Sequence, residues 1–399
     1  MNQADEKIAQ VRLKPRQEHR VLGGHLWIFS NEIARVEGSP EPGALARVLT
    51  ASGRLLGTAF YNPKSLIACR MISFEDIVPD AGFFKLKLAQ ALAYRRRLFP
   101  GASSYRLCFG ESDGLGGLVL DRYDSLLVMQ IFSAGMERRI GLIQEALQEL
   151  LSPRGIYLKN DHRSRGLEGL KAESRVLSGS VAESVRISEN GLDFAVPIGG
   201  GQKTGFYFDQ SENRVFLRPY FPGRVVLDLY CYNGAFALNA VKFGAKAALG
   251  VDSSASAIHA ARENAALNGV EGAASFEEGD AEAALQTFAR GFNPLKPDVI
   301  VLDPPSFSPS KKDLPKALRR YARLNALALE ALPRGGMLAT ATCSHHVSRE
   351  FFISMLRAAS ARARKPARLL ALRGQAGDHP VLLAMPETEY LHFALLEIV

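Results

Sequence analysis

The sequence predicts an α/β protein: a seven-strand doubly wound domain, preceded by a small β-rich domain and a central α/β domain. Three observations carry this. At 399 residues the chain is longer than one ordinary core. From about residue 191, apolar runs of strand length alternate with segments of helical spacing. Before that the rhythm is first turn-rich and β-like, then mixed. The expected domains are 1–75, 76–190 and 191–399.

In residues 1–75, Val48 and Leu49, then Leu55 to Phe60, flank the turn "TASG" like two arms of a hairpin. "GGHLWIFSNEI" carries the single tryptophan, Trp27, beside His25 and Phe29, and a buried ring is expected. Over 80–100, "AGFFKLKLAQALAYRRRLFP" has helical spacing and stops at Pro100. Its Arg95-Arg96-Arg97 run reads as a solvated helix end. "RLCFGESDGLGGLVLDRYDSLLVMQIFSAG" then gives strands around a Gly-rich turn that lacks the Lys-Ser/Thr ending of a phosphate loop. A helix is expected from about Glu137 to Leu151.

In the last domain, "RVVLDLY" (224–230), "AALGVD" (247–252), "AASFEEGD" (273–280), "PDVIVLDPP" (297–305) and "GGMLATATC" (335–343) read as five strands. The tail segments "ARLLALRG" and "EYLHFALLEIV" supply two more. Helices are expected near 235–245, 254–269, 281–291, 314–332 and 348–364, the second closed by Asn268-Gly269.

Composition bounds the function. A chain with 47% hydrophobic and 23% charged residues is an ordinary globular one. No stretch approaches the roughly 20 apolar residues that span a bilayer. The opening "MNQADEKIAQ" lacks the apolar core of a signal peptide, so a cytoplasmic location is expected. Cys69, Cys108, Cys231 and Cys343 form no C-x-x-C pair, which argues against a disulfide framework and a cysteine-based metal site. The net charge of +8 is spread along the chain and is compatible with a polyanionic partner.

Ligands of a doubly wound sheet bind beyond the carboxyl ends of its strands. After the first strand stands "DLYCYNGAF", with one glycine rather than three, which disfavours a dinucleotide. Asp228, at its start, suits the ammonium end of S-adenosylmethionine. Asp252, after the second strand, suits a ribose diol. Asp280, after the third, suits an adenine amine. Each acid alone would be read as a helix cap; four in succession, with Asp303, form a set. Tyr230, Asn233 and Gly234 complete the expected contacts in the first loop. Upstream, "GGQKTGFYFDQSENR" (200–214) reads as a lid or floor of the same pocket. It carries Phe206, Tyr207, Phe208, Asp209, Gln210, Asn213 and Arg214, and Ser211 opens a helix. "LDPPSF" (302–307) makes a rigid turn in which Asp303 can accept a hydrogen bond from a nucleobase.

Together, "GGQKTGFYFDQSENR", "LDLYCYNGAF", "VLDPPSF", "TATCS" and "DHPVLLAMPETEYL" resemble the PUA-domain-containing ribosomal RNA large-subunit cytosine-5 methyltransferase family, methyltransferase I type. "SDGLGGLVLDRY" and "GGHLWIFSNEI" match the family's central and PUA segments, so the likeness spans nearly the whole chain. It implies an RNA-binding PUA domain, a linking α/β domain and a class I methyltransferase making 5-methylcytidine in 23S ribosomal RNA. A homodimer is compatible with it. Two departures stand out. The loop reads "YCYNGAF" where the family often has Phe-x-Tyr-Thr-Gly-x-Phe. Ser306 stands where many RNA cytosine methyltransferases outside the family place a second cysteine that helps release product.

The chemistry requires a nucleophile. C5 of cytosine attacks a sulfonium methyl poorly until a thiolate adds to C6 and makes C5 enamine-like. Cys343, after the fifth strand and facing the same pocket mouth as Asp303, is the expected attacker. A metal site with His345 and His346 lacks spacing and a fourth ligand. A buried, inert Cys343 would instead leave an N-methyltransferase of an RNA guanine or adenine amine. A non-catalytic RNA-binding assembly factor is a third reading, opposed by the intact acid set.

Overall fold

The computed structural model describes residues 8–199, 204–308 and 310–399. The chain divides into two compact units. One takes the described residues up to Val185, with those of Pro197–Phe206 and Asp378–Thr388. The other takes Arg186–Val196, Tyr207–Gly377 and Glu389–Val399.

The first unit holds two sheets. Six strands run in the order Trp27–Phe29, Ile67–Ser73, Leu55–Tyr61, Ala44–Leu49, Ala9–Leu13, Ile33–Glu37. The "TASG" hairpin is there, with Leu45 facing Phe60. Five strands run in the order Glu173–Gly179, Gly155–Asn160, Leu126–Ile131, Leu118–Tyr123, Ser104–Phe109. Helices Ala81–Leu98 and Ile140–Leu151 belong to this second group. Leu45, Phe60 and Ile72 from the first sheet pack in one apolar cluster with Leu107, Leu127 and Ile143. Trp27 is half-buried, and its Nε1 donates to Glu111 at 2.8 Å.

Arg95 corrects the reading of the arginine run. It is fully buried. It donates to Arg106 O at 2.9 Å, Asp113 Oδ2 at 2.8 Å and Asp378 O at 2.7 Å. The reason is helical phase: Arg95 falls three and four residues after the buried Leu92 and Ala91, while Arg96 and Arg97 turn to solvent.

The second unit is built on seven strands: β1 Val225–Leu229, β2 Ala247–Asp252, β3 Ala274–Glu278, β4 Val299–Leu302, β5 Met337–Thr342, β6 Ala367–Arg373 and β7 His392–Ile398. Their order is β3-β2-β1-β4-β5-β7-β6. β1 to β5 are parallel, and β7 runs antiparallel between β5 and β6. The helices around the sheet are α1 Ala235–Lys242, α2 Ala255–Leu267, α3 Ala281–Ala289, α4 Leu314–Ala331 and α5 Arg349–Ala363, and a short helix, Ser211–Phe216, precedes β1. Every residue of β4 and β5 is buried. That is why both read as unbroken apolar or small-residue runs rather than alternating ones. Leu227, Leu249, Ile300 and Leu338 of the sheet pack with Leu285, Leu324 and Phe352 of α3, α4 and α5. The order reverses beside β1, where β2 lies on one side and β4 on the other. Ligands of such sheets collect at that switch point. Among the described residues no helix is long and apolar enough to cross a membrane.

Candidate active site at the carboxyl ends of the strands

Asp228 is next to last in β1 and is buried. Its Oδ2 accepts from Ala237 N, the third residue of α1, at 3.0 Å. The acid thereby caps a helix whose N-cap, Gly234, has no side chain to do so. Its Oδ1 is buried and has no hydrogen-bond partner among the described residues. Burial pushes the carboxyl up to about 8; the Ala237 N–H opposes this, Asp303 and Asp252 add to it, and Arg214 counters it.

Between β1 and α1 the backbone turns left-handed at alternate residues: φ is 62° at Tyr230, 49° at Tyr232 and 82° at Gly234. Two non-glycine residues in that region store on the order of 1–3 kcal/mol each. A Cβ at Gly234 would lie 2.7 Å from the Phe276 ring. Gly250 of β2 is confined in the same way, since a Cβ there would come within 2.5 Å of Phe276 and 2.9 Å of Cys231 Sγ. Phe276 of β3 is thus the floor on which the loop is moulded. Asn233 is buried, and its Nδ2 has no partner.

Asp252 closes β2 and holds the loop as well, accepting from Tyr232 N at 3.0 Å and Ser254 N at 2.9 Å. Each of its oxygens keeps a further lone pair. Asp280 is exposed and caps α3 through Ala283 N at 2.8 Å, as the cap reading expected.

The turn after β4 is braced from two sides. Tyr321 Oη accepts from Phe307 N and donates to Pro305 O, both at 3.2 Å. On the other side runs a chain of side-chain bonds. Arg373 Nε donates to Asn213 Oδ1 at 3.0 Å, Asn213 Nδ2 to Gln210 Oε1 at 2.7 Å, and Gln210 Nε2 to Asp303 Oδ2 at 3.0 Å. A guanidinium can only donate and a carboxylate can only accept, so the direction of both amides is fixed by the ends of the chain.

β5 lies beside β4 with Leu302 opposite Thr340, so the residues after both strands emerge side by side. Cys343 follows Thr342 and is half-buried. The Tyr207 phenol is raised by burial first, then by Asp209, Tyr232, Asp303 and Cys343. The Tyr321 phenol, pushed up to about 12 chiefly by burial, feels Cys343 and Asp303 too. Asp303 and Cys343 thus share one electrostatic neighbourhood. Cys69, Cys108 and Cys231 are buried, and burial raises all three thiols. Ser344 is buried in the turn that follows; the exposed His345 ring packs on Tyr390 at 5.3 Å.

The segment before β1 divides by task. Gly200 to Lys203 lie outside the described residues. Phe206 ends the first unit, buried, its amide bonded to Tyr123 Oη at 3.0 Å. Asp209 is buried and accepts from Tyr390 Oη at 2.6 Å. Arg214 braces its own segment: it donates to both oxygens of Glu189 at 2.7 and 2.6 Å and to Tyr207 O at 3.1 Å. Ser306 is exposed. Phe276, Tyr321, Arg373 and Tyr390 are the residues that sequence reasoning gave no task in this site. Phe276 had a faint signal, as the one large apolar residue at an inward position of a polar strand. The others depend on contacts more than a hundred residues away or on side-chain direction.

Two atoms without a partner among the described residues, Oδ1 of Asp228 and Nδ2 of Asn233, suit an α-amino-acid head group: a bound ammonium favours the ionised Asp228, which then accepts, while Asn233 donates. S-adenosylmethionine carries such a head group. Residues 11–74 match the model of a PUA-like domain, and residues 112–364 match that of an S-adenosylmethionine-dependent methyltransferase. A protein of Aeromonas hydrophila named ribosomal RNA large subunit methyltransferase I is 40% identical, over 96% of this chain and 98% of its own. One of the same name in Klebsiella pneumoniae is 35% identical, over 97% and 98%. A solved structure described as "A putative sam-dependent methyltransferase from Streptococcus mutans" shares the fold with a TM-score of 0.84 at 20% identity, over 98% and 100% of the two chains. A crystal structure described as "a putative methyltransferase complexed with SAH" does so with a TM-score of 0.85, also at 20% identity and over 98% and 100%. The chain belongs to the S-adenosylmethionine-dependent methyltransferase family, among the members that carry an N-terminal PUA-like domain.

Proposed function

We propose that this enzyme methylates C5 of a cytosine in 23S ribosomal RNA through a covalent adduct between Cys343 and C6. The relatives' names give the substrate class. The observation that carries the chemistry is the pairing of Cys343 with Asp303. Among the described residues Cys343 is the one cysteine that is not buried, and it follows the strand beside the Asp303 turn.

S-adenosylmethionine, when bound, supplies an electrophilic methyl group. Asp228 and Asn233 hold its amino-acid end, Asp252 its ribose and Asp280 its adenine amine. Gly234 leaves room for close approach. Asp209, Gln210 and Arg214 shape the pocket from the adjoining segment. Asp303, held by Gln210, accepts a hydrogen bond from the exocyclic amine of the cytosine. The Cys343 thiolate forms a bond to C6, and the C5–C6 π pair then moves to C5, which takes the methyl group as its bond to the sulfonium sulfur breaks and the neutral thioether, S-adenosylhomocysteine, is left. Loss of the C5 proton to a base regenerates the double bond and breaks the S–C6 bond. The thiolate leaves unaided by a second cysteine, since Ser306 occupies that place. The target base must be unpaired or flipped, because its faces are covered within a stack.

Mass-spectrometric mapping of large-subunit RNA, from a deletion strain complemented with wild type or Cys343→Ala, tests this. Wild type restores one 5-methylcytidine and the variant does not. A variant that restores C5 methylation at the wild-type rate removes the nucleophile; a methyl group found on a purine amine removes the C5 reading.

A further inference from the structure

The turn after β4 leads into a dense run of cations. Residues 311–320 read "KKDLPKALRR", five basic residues against one acid. Lys311, Lys312, Lys316, Arg319 and Arg320 are all exposed, and among the described residues none pairs with an acid. The nearby acids are engaged elsewhere: Asp313 takes a bond from Ser310 at 2.7 Å, and Glu282 pairs with Arg323 at 2.6 Å. A solvated helix face would explain exposure, but not the way this face is fastened. The Arg320 guanidinium lies 3.9 Å from the centre of the Phe307 ring. That ring packs on Tyr321 at 4.7 Å, and Tyr321 binds both Phe307 N and Pro305 O. Arg320 is therefore anchored to the Asp303 turn itself, whose Pro305 and Ser306 are exposed, and the other four cations stand beside it in sequence. Lys316 and Arg320 stand one helical turn apart on one side of α4.

We propose that the first turns of α4 hold phosphates of the RNA strand flanking the target base. The inference rests on the RNA reading above. A strand whose base reaches Asp303 and Cys343 must run past this turn, and a single strand carries a negative charge at every nucleotide. Unpaired, exposed cations bind it by releasing its counterions, with no demand on sequence. The methyltransferase domain thus grips the substrate next to the reacting base, in addition to whatever the PUA-like domain holds.

The test is a triple variant, Lys312→Gln, Lys316→Gln and Arg319→Gln, with Arg320 kept because it packs on Phe307. The probe is deproteinised large-subunit RNA from the deletion strain. Affinity is measured against salt for the wild type and the variant, with S-adenosylmethionine binding as the check on folding. Three lost phosphate contacts should flatten the slope of log affinity against log salt by about 2. Affinity should fall on the order of tenfold or more at low salt. An unchanged slope and affinity overturn the proposal. If the wild type methylates this RNA and the variant binds it equally well, the phosphate face fails and the function stands. If the variant loses slope but the wild type leaves cytosine C5 unmodified, the face stands and the function fails.

Discussion

Two residues of the site differ in what they ask of pH. Asp228 keeps its proton up to about 8 in the folded protein, against an ordinary value of 3.8. Between those values the folded state binds more protons than the unfolded one. Its contribution to stability is therefore full at low pH and declines as pH rises through the window. Asp228→Asn should remove that decline, seen as urea midpoints that no longer fall between pH 5 and pH 8 without cofactor. Asp303 is held differently, as the acceptor at the end of the Arg373–Asn213–Gln210 chain. Asn213→Asp replaces a donor with an acceptor. Gln210 must then turn its amide round and face Asp303 with an oxygen, which favours protonated Asp303. The acid limb of the pH–rate profile should move up by about one unit or more. Asn213→Ala, which reverses nothing, should lower the rate without that shift; equal profiles for both variants contradict a polarised chain.

At the scale of elements, the loop between β1 and α1 is the costly part. Tyr230 and Tyr232 are left-handed and Gly234 is pressed on Phe276, so the loop and β3 are built together. Gly234→Ala should destabilise the protein by about 1–3 kcal/mol, from left-handed strain plus overpacking, and weaken S-adenosylmethionine binding. Denaturant unfolding and calorimetry check both; unchanged binding contradicts the cradle. The strands themselves were legible in the sequence. Continuous apolar runs ending in an acid marked β1, β2 and β4, and Asn268-Gly269 closed α2, with φ 63° at Gly269. Less legible was what each polar residue does. Arg214 reads as part of the pocket wall, and its bonds to Glu189 and Tyr207 cannot be seen in the sequence. Arg95 looked solvated and is buried. A local pattern gives the face a side chain takes, but not the distant partner that meets it there.

At the scale of the molecule, the PUA-like sheet and the central sheet share an apolar cluster through Leu45, Phe60 and Ile72. Removing residues 1–75 strips that cluster as well as any RNA contact. The truncated chain should unfold at lower denaturant than the full chain, and full stability after truncation would contradict a shared core. Later segments return to this unit too. Asp378 Oδ2 takes the Arg106 amide at 2.9 Å, and His25 meets Glu387 at 3.3 Å. The motif "DHPVLLAMPETEYL" is thus read as one stretch in sequence but serves both units, with Tyr390 bonded to Asp209 in the other. The central claim, however, is a single bond between Cys343 and a pyrimidine carbon. RNA carrying 5-fluorocytosine at the target tests it most directly, because fluorine at C5 cannot leave as a proton does and the adduct persists. With S-adenosylmethionine present, the wild type should form a denaturation-resistant protein–RNA complex whose cross-linked peptide contains Cys343, and Cys343→Ala should form none. A complex linked through another residue, or an equal yield from the variant, would contradict the account.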